Sequence, residues 1–386
     1  MTHESLLDRD WDSVVERLGG KEALIASAKA TKAFLRARAF GNAIDMLRMV
    51  FAYCLGDRGL RSTAAWTASI GLVDVANTAL LYRLRQSERW LAWLLEQMLS
   101  SATPQSCQGR MIRVIDATTV LKAGAAAKTK NGLWRIHSAF DLPSERFRHF
   151  ELTDEHGSER LDRIPVIKNE IRLADRAYMQ PDQIAPLLEA GADIVVRAGW
   201  KNARWLDADG AAVDIIEKFK KAACGVTDQP IWIGRKSSPA LAMRLVAIKK
   251  SSEAAEAARN KAKREAQKGR HNITENTLIA AEWVILVTSL PAEAFSTEDI
   301  FALYRLRWRI ELAFKRLKSI LGLKAPPGVD ERSAKPYVLA HLLMILLLEP
   351  LVDELEDSAR LALPRNSPAV RQLRRPLGTG RHIRAP

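Results

Sequence analysis

The chain is poor in the residues on which disulfide-rich and zinc-binding domains depend. It has three cysteines among 386 residues, and they lie far apart, outside any Cys-X-X-Cys or Cys/His spacing. Neither a disulfide framework nor a zinc site is therefore predicted. Buried free thiols are the simpler interpretation of Cys54, Cys107 and Cys224.

Long apolar runs are also missing. The longest, from Tyr337 to Leu348, contains His341 and has twelve residues, whereas crossing a bilayer core of about 30 Å takes roughly twenty. This run predicts a buried core helix and no contact with a membrane. The segment from Met1 to Arg17 carries several acidic residues and no apolar stretch of the signal-peptide kind, which predicts a cytoplasmic protein.

Positive charge is what the chain has in excess. Fifty-nine Lys and Arg residues outnumber 45 Asp and Glu, which gives a formal net charge of +14 at pH 7. Because 47% of the residues are hydrophobic, the chain can bury a large core and place this charge on a folded surface. A basic surface attracts polyanions, and nucleic acid is the first candidate partner.

The hydrophobic pattern divides the chain into three regions. Residues 1–105 repeat apolar side chains every three or four positions, which predicts an all-helical domain. Residues 106–330 alternate strand-like runs with helices, which predicts a mixed α/β domain, and residues 331–386 combine the apolar helix with a basic tail. Within the middle region, residues 200–290 form a β-rich insertion, whose charged helix, Ser252 to Arg270, is either a solvated face or a surface for a phosphate backbone.

Two strand-like runs of the α/β region end at an aspartate. Asp116 follows Val114-Ile115, and Asp175 follows Leu173-Ala174. The later pattern of a helix and another strand favours parallel pairing, and the carboxyl ends of neighbouring parallel strands meet at one crevice. We therefore expect the two carboxylates to converge, although either aspartate alone would be explained as a turn residue at a strand end. In the insertion, strands are predicted at 211–216, 230–234, 241–248 and 282–288.

A single long helix is predicted from about Thr297 to Leu321, with a capping signal at Ser296. At about 100° per residue, one narrow stripe of this helix holds five polar residues. They are Tyr304, Arg307, Glu311, Lys315 and Lys318. An ordinary amphipathic helix would explain the i,i+4 pair of Glu311 and Lys315, but not one acidic residue among seven cations over positions 301–324. The stripe therefore predicts a site for metal ions and phosphates.

Four of these residues carry a resemblance to a known family. Tyr304, Arg307, Glu311 and Lys318 match the Tyr-X2-Arg-X3-Glu-X6-Lys signature of the insertion-sequence-four group of bacterial DDE transposases. The segments around Asp116 and Asp175 resemble the strands that carry the first and second aspartates of that family. The resemblance extends over about residues 110–321 and implies a ribonuclease-H-like mixed sheet flanked by helices, with the β-rich insertion before the glutamate.

The same resemblance implies a catalytic triad of Asp116, Asp175 and Glu311. Three carboxylates can hold two divalent ions, Mg²⁺ or in its place Mn²⁺, about 3.5 to 4 Å apart for phosphoryl transfer. Trp283 occupies a position similar to that of a family tryptophan that stacks on a flipped base, although a core tryptophan is the alternative. The remaining predicted DNA contacts, each of which could instead be a surface or packing residue, are Tyr304, Arg307, Lys315, Lys318, Arg176 and Tyr178.

The resemblance implies a cut-and-paste transposase that binds the terminal inverted repeats of its element, cleaves the ends through hairpins and joins the 3′-hydroxyl ends to target DNA. Its partners would be double-stranded DNA and a second copy of the chain, as a homodimer on paired ends in the bacterial nucleoid. The helical domain would read the end sequence, and the segments after Ser333, including residues 337–348, would support dimer contacts. Two alternatives remain open: a ribonuclease-H-like nuclease without strand transfer, and a catalytically silent DNA-binding inhibitor.

Overall fold

A computed structural model describes most of the chain. The described residues are 10–37, 39–56, 58–101, 109–122, 132–201, 203–222, 224–319, 321–328 and 330–362, of which 100, 101 and 350–362 are described by their backbone alone. Cys107, the basic segment 123–131 and the basic tail after residue 362 lie outside these ranges. Of the other cysteines, Cys54 is buried as predicted, whereas Cys224 is exposed, so that prediction was wrong for Cys224.

Six helices open the described chain, as the apolar spacing predicts. They are α1 (Trp11–Arg17), α2 (Gly20–Ala30), α3 (Ala43–Leu55), α4 (Leu60–Ser69), α5 (Asn77–Gln86) and α6 (Glu88–Ser101). The central one is α3, in which every side chain except those of Asp45 and Arg48 is buried. Asn42 caps it by accepting hydrogen bonds from the backbone N–H groups of Ile44 and Asp45.

A nine-stranded mixed sheet forms the middle of the molecule, and the predicted α/β class with flanking helices is confirmed. Its strands lie in the order β3-β2-β1-β4-β5-β9-β8-β7-β6. Only the β1–β4 and β4–β5 pairs are parallel, and the others are antiparallel. The strands are β1 (Ile112–Leu121), β2 (Leu133–Asp141), β3 (Arg146–Thr153), β4 (Ile171–Ala174), β5 (Asp193–Arg197), β6 (Arg204–Leu206), β7 (Val226–Gly234), β8 (Leu241–Lys249) and β9 (Trp283–Thr288).

The β-rich insertion continues this sheet. Strand β9 pairs with β5, and β8, β7 and β6 follow it outward. A strand predicted at 211–216 is wrong, because Asp214 caps a helix by accepting from the N–H groups of Ile216 and Glu217. Helix α7 (Pro181–Glu189) precedes the insertion, whose own helices are α8 (Ile215–Lys221), α9 (Ser252–Lys268) and α10 (Glu275–Ala281).

The long helix predicted after Ser296 is two helices, which corrects the prediction of one. They are α11 (Thr297–Arg305) and α12 (Trp308–Ser319), separated by a turn at Leu306 and Arg307. Ser296 and Asp299 form the predicted capping box at the start of α11. The turn places Tyr304 on a different helix from Glu311, so the polar stripe is not continuous.

The apolar run after residue 337 lies in α13 (Glu331–Ala362), the last described helix. As predicted, it is a core helix: Val338, Leu342 and Leu343 are fully buried in one cluster with α3, α6 and one face of the sheet. The chain's own helices and sheet cover the side chains of residues 337–347, so dimer contacts stay a prediction for the segments after Ser333 as a whole. Among the described residues, no helix is long and apolar enough to span a membrane.

Candidate active site

Two neighbouring parallel strands place the predicted aspartates side by side. In their register Ile115 of β1 is opposite Ala174 of β4, so Asp116 and Asp175 each follow directly after a paired residue. Val114 and Leu173 contribute to the core on the side of α12 and α13. Because side chains alternate along a strand, both aspartates project toward that same side.

Local hydrogen bonds fix both carboxylates. Asp116 Oδ1 accepts from the N–H of Ala117 at 2.8 Å, and Asp175 Oδ1 accepts from the N–H of Ala177 at 2.7 Å. The second bond caps the short 3₁₀ turn Arg176–Tyr178. Asp175 follows the end of β4, whereas β1 continues past Asp116 to Leu121, which corrects the prediction of a strand end at Asp116. Both groups are therefore held before any substrate arrives, as a preorganised site requires.

The third acidic residue, Glu311, lies on α12. Ile310 and Leu317 on the same helix are fully buried, and the Phe314 ring lies 5.7 Å from that of Phe147 on β3. Arg309 adds an ion pair with Glu145 at the tip of the β2–β3 hairpin. This packing fixes the helix, while the Glu311 side chain itself remains 57% exposed.

Arg307 joins the carboxylates across the site. Its guanidinium lies 3.3 Å from Asp116 Oδ2 and 2.5 Å from Glu311 Oε1. It also lies 5.9 Å from the centre of the Tyr304 ring. Arg307 thus lies against two other residues of the family signature, Tyr304 and Glu311, and two members of the predicted triad share one cation.

The electrostatic environment of Asp116 is unusual for a carboxylate. Burial raises its pKa to about 6 against the opposing effects of the Ala117 hydrogen bond and of Arg307, and the charges of Asp175 and Glu159 act in the same direction as burial. Ionisation of this buried carboxyl costs free energy because water is excluded, and a nearby cation lowers that cost. Perturbed carboxylates in a cleft are typical of catalytic sites.

Asp116 and Glu311 face an open cleft with a volume of about 630 Å³. Lys315 and Lys318 stand on its α12 wall as exposed cations. The lining residues are Asp116, Ala117, Thr118, Glu311, Phe314, Lys315, Lys318 and Ser319. A groove that combines two carboxylates with two lysines suits a phosphodiester together with the metal ions that would react with it.

The donor set fits a hard divalent ion by its chemistry, since Mg²⁺ prefers carboxylate oxygens. In the described part of the chain, no three Asp, Glu, His or Cys side chains stand close enough together to hold one ion as they are placed. Asp116 and Glu311 share Arg307 instead. Because Glu311 is mostly exposed, its side chain can turn toward the two aspartates without disturbing the packing of α12.

Two predicted DNA contacts are corrected by their burial. Trp283 is only 4% exposed and stacks on Phe219, with ring centres 4.7 Å apart and planes 13° apart. The Tyr178 ring is 1% exposed, behind the aspartates. Both are core residues in this structure, so neither ring is accessible to a base or a phosphate, whereas Arg176 is exposed and remains a predicted contact.

Three residues near the cleft were missed by sequence reasoning. Trp308 follows Arg307 and is 50% exposed, which is unusual for a tryptophan. Glu159 adds a fourth carboxylate to the field around Asp116 and Asp175. Arg197 ends β5 and contributes positive charge near Tyr304. The tryptophan could have been found from its place in the signature segment, but Glu159 and Arg197 reach the site only through the fold.

The described residues on either side of the basic segment 123–131 are held by contacts. Lys122 forms an ion pair with Glu155 at 2.5 Å and lies 4.8 Å from the centre of the Trp134 ring. Arg135 donates to the backbone oxygen of Gly157. These contacts attach Lys122 and Arg135 to the segment after β3.

Comparisons with known proteins agree with this geometry. A family model described as the transposase DDE domain matches residues 108–347. The chain is 33% identical over 351 residues to the InsL transposase of insertion sequence element IS186A from Escherichia coli strain K12, covering 89% of this chain and 94% of that protein. It is likewise 33% identical over 352 residues to the transposase of element IS421 from Escherichia coli, with the same coverage. The chain therefore belongs to the DDE transposases of insertion sequence elements, in the IS4-like family.

Proposed function

We propose that this transposase binds the terminal inverted repeats of its own element, cleaves the DNA ends by two-metal phosphoryl transfer and joins the 3′-hydroxyl ends to target DNA. The observation that carries the proposal is the meeting of Asp116 and Glu311 on Arg307 in a cleft beside Asp175. Asp116, Asp175 and Glu311 come from three separate elements of the chain, and the contacts of two of them with Arg307 support their assignment as the carboxylates of a DDE domain.

Asp116, Asp175 and Glu311 would hold the divalent ions. Two Mg²⁺ ions, or Mn²⁺ in their place, would supply activation of water or a 3′-hydroxyl and neutralisation of the leaving oxygen. Asp116, whose side chain is 16% exposed against 57% for Glu311, would supply its carboxylate from inside the sheet. Glu311 would complete the set after its side chain leaves Arg307, which would release the guanidinium for the scissile phosphate.

The cations of the cleft would position the strand to be cut. Lys315 and Lys318 extend from the α12 wall, and Arg307 stands between the carboxylates and the Tyr304 ring. Phosphate contacts of this kind fix the register of the duplex without reading its sequence. The exposed ring of Trp308 is available for a base displaced from the stack, as a hairpin step requires, whereas the buried ring of Trp283 is not.

The helical domain at the start of the chain would read the end sequence, and two protomers would act on paired ends in the bacterial nucleoid. The domain shares a core with α13 and one face of the catalytic sheet. This common core supports the proposal, because DNA held by the helices would keep a fixed geometry relative to the cleft.

The test is an analysis of DNA products with a matched control. Duplexes that carry the inverted repeats flanking the gene are incubated with Mg²⁺, target plasmid and either the unmodified protein or Glu311→Gln. The control is Glu189→Gln, which removes an exposed glutamate at the end of α7. The proposal expects cut and joined products from the unmodified protein and the control, and at least a hundredfold less from Glu311→Gln.

The same assay separates the two alternatives. Cut ends that are never joined to the plasmid would indicate a nuclease. Specific binding of the repeats with no cleavage by the unmodified protein would indicate an inhibitor. Equal activity of Glu311→Gln and the unmodified protein would contradict the proposed role of this carboxylate.

A further inference from the structure

The charged helix α9 of the insertion packs against the rest of the chain along one side. Ala255 and Ala266 are buried, and Arg259 forms an ion pair with Glu282, the residue before β9. Glu282 also pairs with Lys249 at the end of β8, at 3.4 Å. These contacts fix the rotation of the helix on the sheet, so its remaining faces have defined directions.

Three cations share one outward face of this helix. At 100° per residue, Lys261, Arg264 and Lys268 fall within an arc of about 60°, and over about 10 Å of helix length. All three are exposed, and none forms an ion pair or a side-chain hydrogen bond with another described residue. We call these residues the α9 basic stripe. Lys263, also exposed, lies about 160° around the helix from Lys261.

The α9 basic stripe begins near the sheet edge that carries the aspartates. Asp175 follows β4, and Arg197 ends β5. Because β9 is antiparallel to both β5 and β8, β8 runs in the same direction as β5 and ends at Lys249 on the same edge. Since neighbouring strands are about 4.8 Å apart, β8 lies about 14 Å from β4. Burial lowers the pKa of Lys250, and the positive charges of Arg197 and Lys261 lower it further, so these cations share one field.

We propose that the α9 basic stripe binds the sugar-phosphate backbone of the DNA duplex whose strand is cut in the cleft. The inference rests on the proposed function, and it adds a second contact surface to the same substrate. Duplex DNA carries about one negative charge per 1.7 Å of its axis, so a 10 Å row of three free cations spans several phosphates. The α9 basic stripe begins two residues after Arg259, whose ion-pair partner Glu282 lies at this same sheet edge, and this proximity favours this duplex over separate target DNA.

A contact of this kind has a measurable salt dependence. Each phosphate contact contributes about 0.9 to the slope of log affinity against log salt concentration. Replacing Lys261, Arg264 and Lys268 together by Gln should therefore lower the magnitude of that slope by about 2 to 3. Arg264→Gln alone should lower it by about 1, whereas the adjacent change Lys263→Gln, on the other side of the helix, should leave it nearly unchanged.

The experiment measures affinity for a fluorescent duplex of the terminal repeat from about 50 to 200 mM salt, and scores cleavage in the same samples. A smaller slope of log affinity against log salt concentration in the triple variant and in Arg264→Gln, but not in Lys263→Gln, supports the inference. An unchanged slope in a triple variant of a protein that does cut the ends overturns it. A triple variant that binds and cuts the ends normally but fails to capture target plasmid would also overturn the inference. Failure of the proposed function would instead appear as intact ends with the unmodified protein.

Discussion

The two tryptophans near the candidate site should respond in opposite ways to truncation. Trp283 is 4% exposed and stacked on Phe219, whereas Trp308 is 50% exposed beside the cleft. Trp283→Ala removes a buried ring, at a cost of about 3 to 5 kcal/mol in the free energy of unfolding, of which an aromatic pair contributes about 1 kcal/mol. Trp308→Ala should cost less than about 1 kcal/mol, because an exposed ring leaves no cavity.

The assay is urea unfolding of both variants, followed by end cleavage at a temperature where each remains folded. Trp283→Ala should lose stability, while folded Trp283→Phe keeps cleaving. Trp308→Ala should keep its stability and lose cleavage. A Trp283→Ala protein as stable as the unmodified one, but defective in cleavage, would refute the burial argument and restore the base-stacking role.

Two further predictions concern stability. Leu343→Ala, at a fully buried position of α13, should cost about 2 to 5 kcal/mol in urea unfolding and leave the oligomeric state unchanged by light scattering. Loss of a dimer at unchanged stability would contradict the core assignment. Burial, with the charges of Arg163 and Arg135, lowers the pKa of His137 to about 4. In the unfolded chain His137 has its ordinary pKa of 6.5, so below that pH the unfolded state binds a proton that the folded state does not. Up to about 3 kcal/mol in the free energy of unfolding should therefore be lost as the pH falls from 6.5 to 4. His137→Gln should lack this part of the pH dependence, and an unchanged acid transition would contradict it.

The residues of the site were predictable because their signals are local. The apolar runs before Asp116 and Asp175, and the spacing around Glu311, lie within short segments whose periodicity is visible in the sequence. The structure brings these segments together through the β1–β4 register and the packing of α12 on Phe147. The turn at Leu306 and Arg307 was not predictable, since both residues are good helix formers and neither marks a break.

The burial of Trp283 depends on contacts that are distant in sequence. Its partner Phe219 lies on α8. The β-branched residues Ile215 and Ile216 favoured the prediction of a strand at the start of this helix. The N-cap signal of Asp214 was the evidence against that strand. Similarly, β5 and β9 pair although most of the insertion lies between them in the sequence, and no local pattern predicts such a pair.

The central claim is that Asp116, Asp175 and Glu311 together hold the divalent ions that cut DNA. The most direct measurement is Mn²⁺ binding by electron paramagnetic resonance in the complex with end DNA, with Ca²⁺ absent and cleavage blocked by a non-cleavable linkage. We predict two bound ions for the unmodified protein and for Glu189→Gln, and fewer or weaker ions for Asp116→Asn, Asp175→Asn and Glu311→Gln. Two ions bound with unchanged affinity in all three variants would contradict the account.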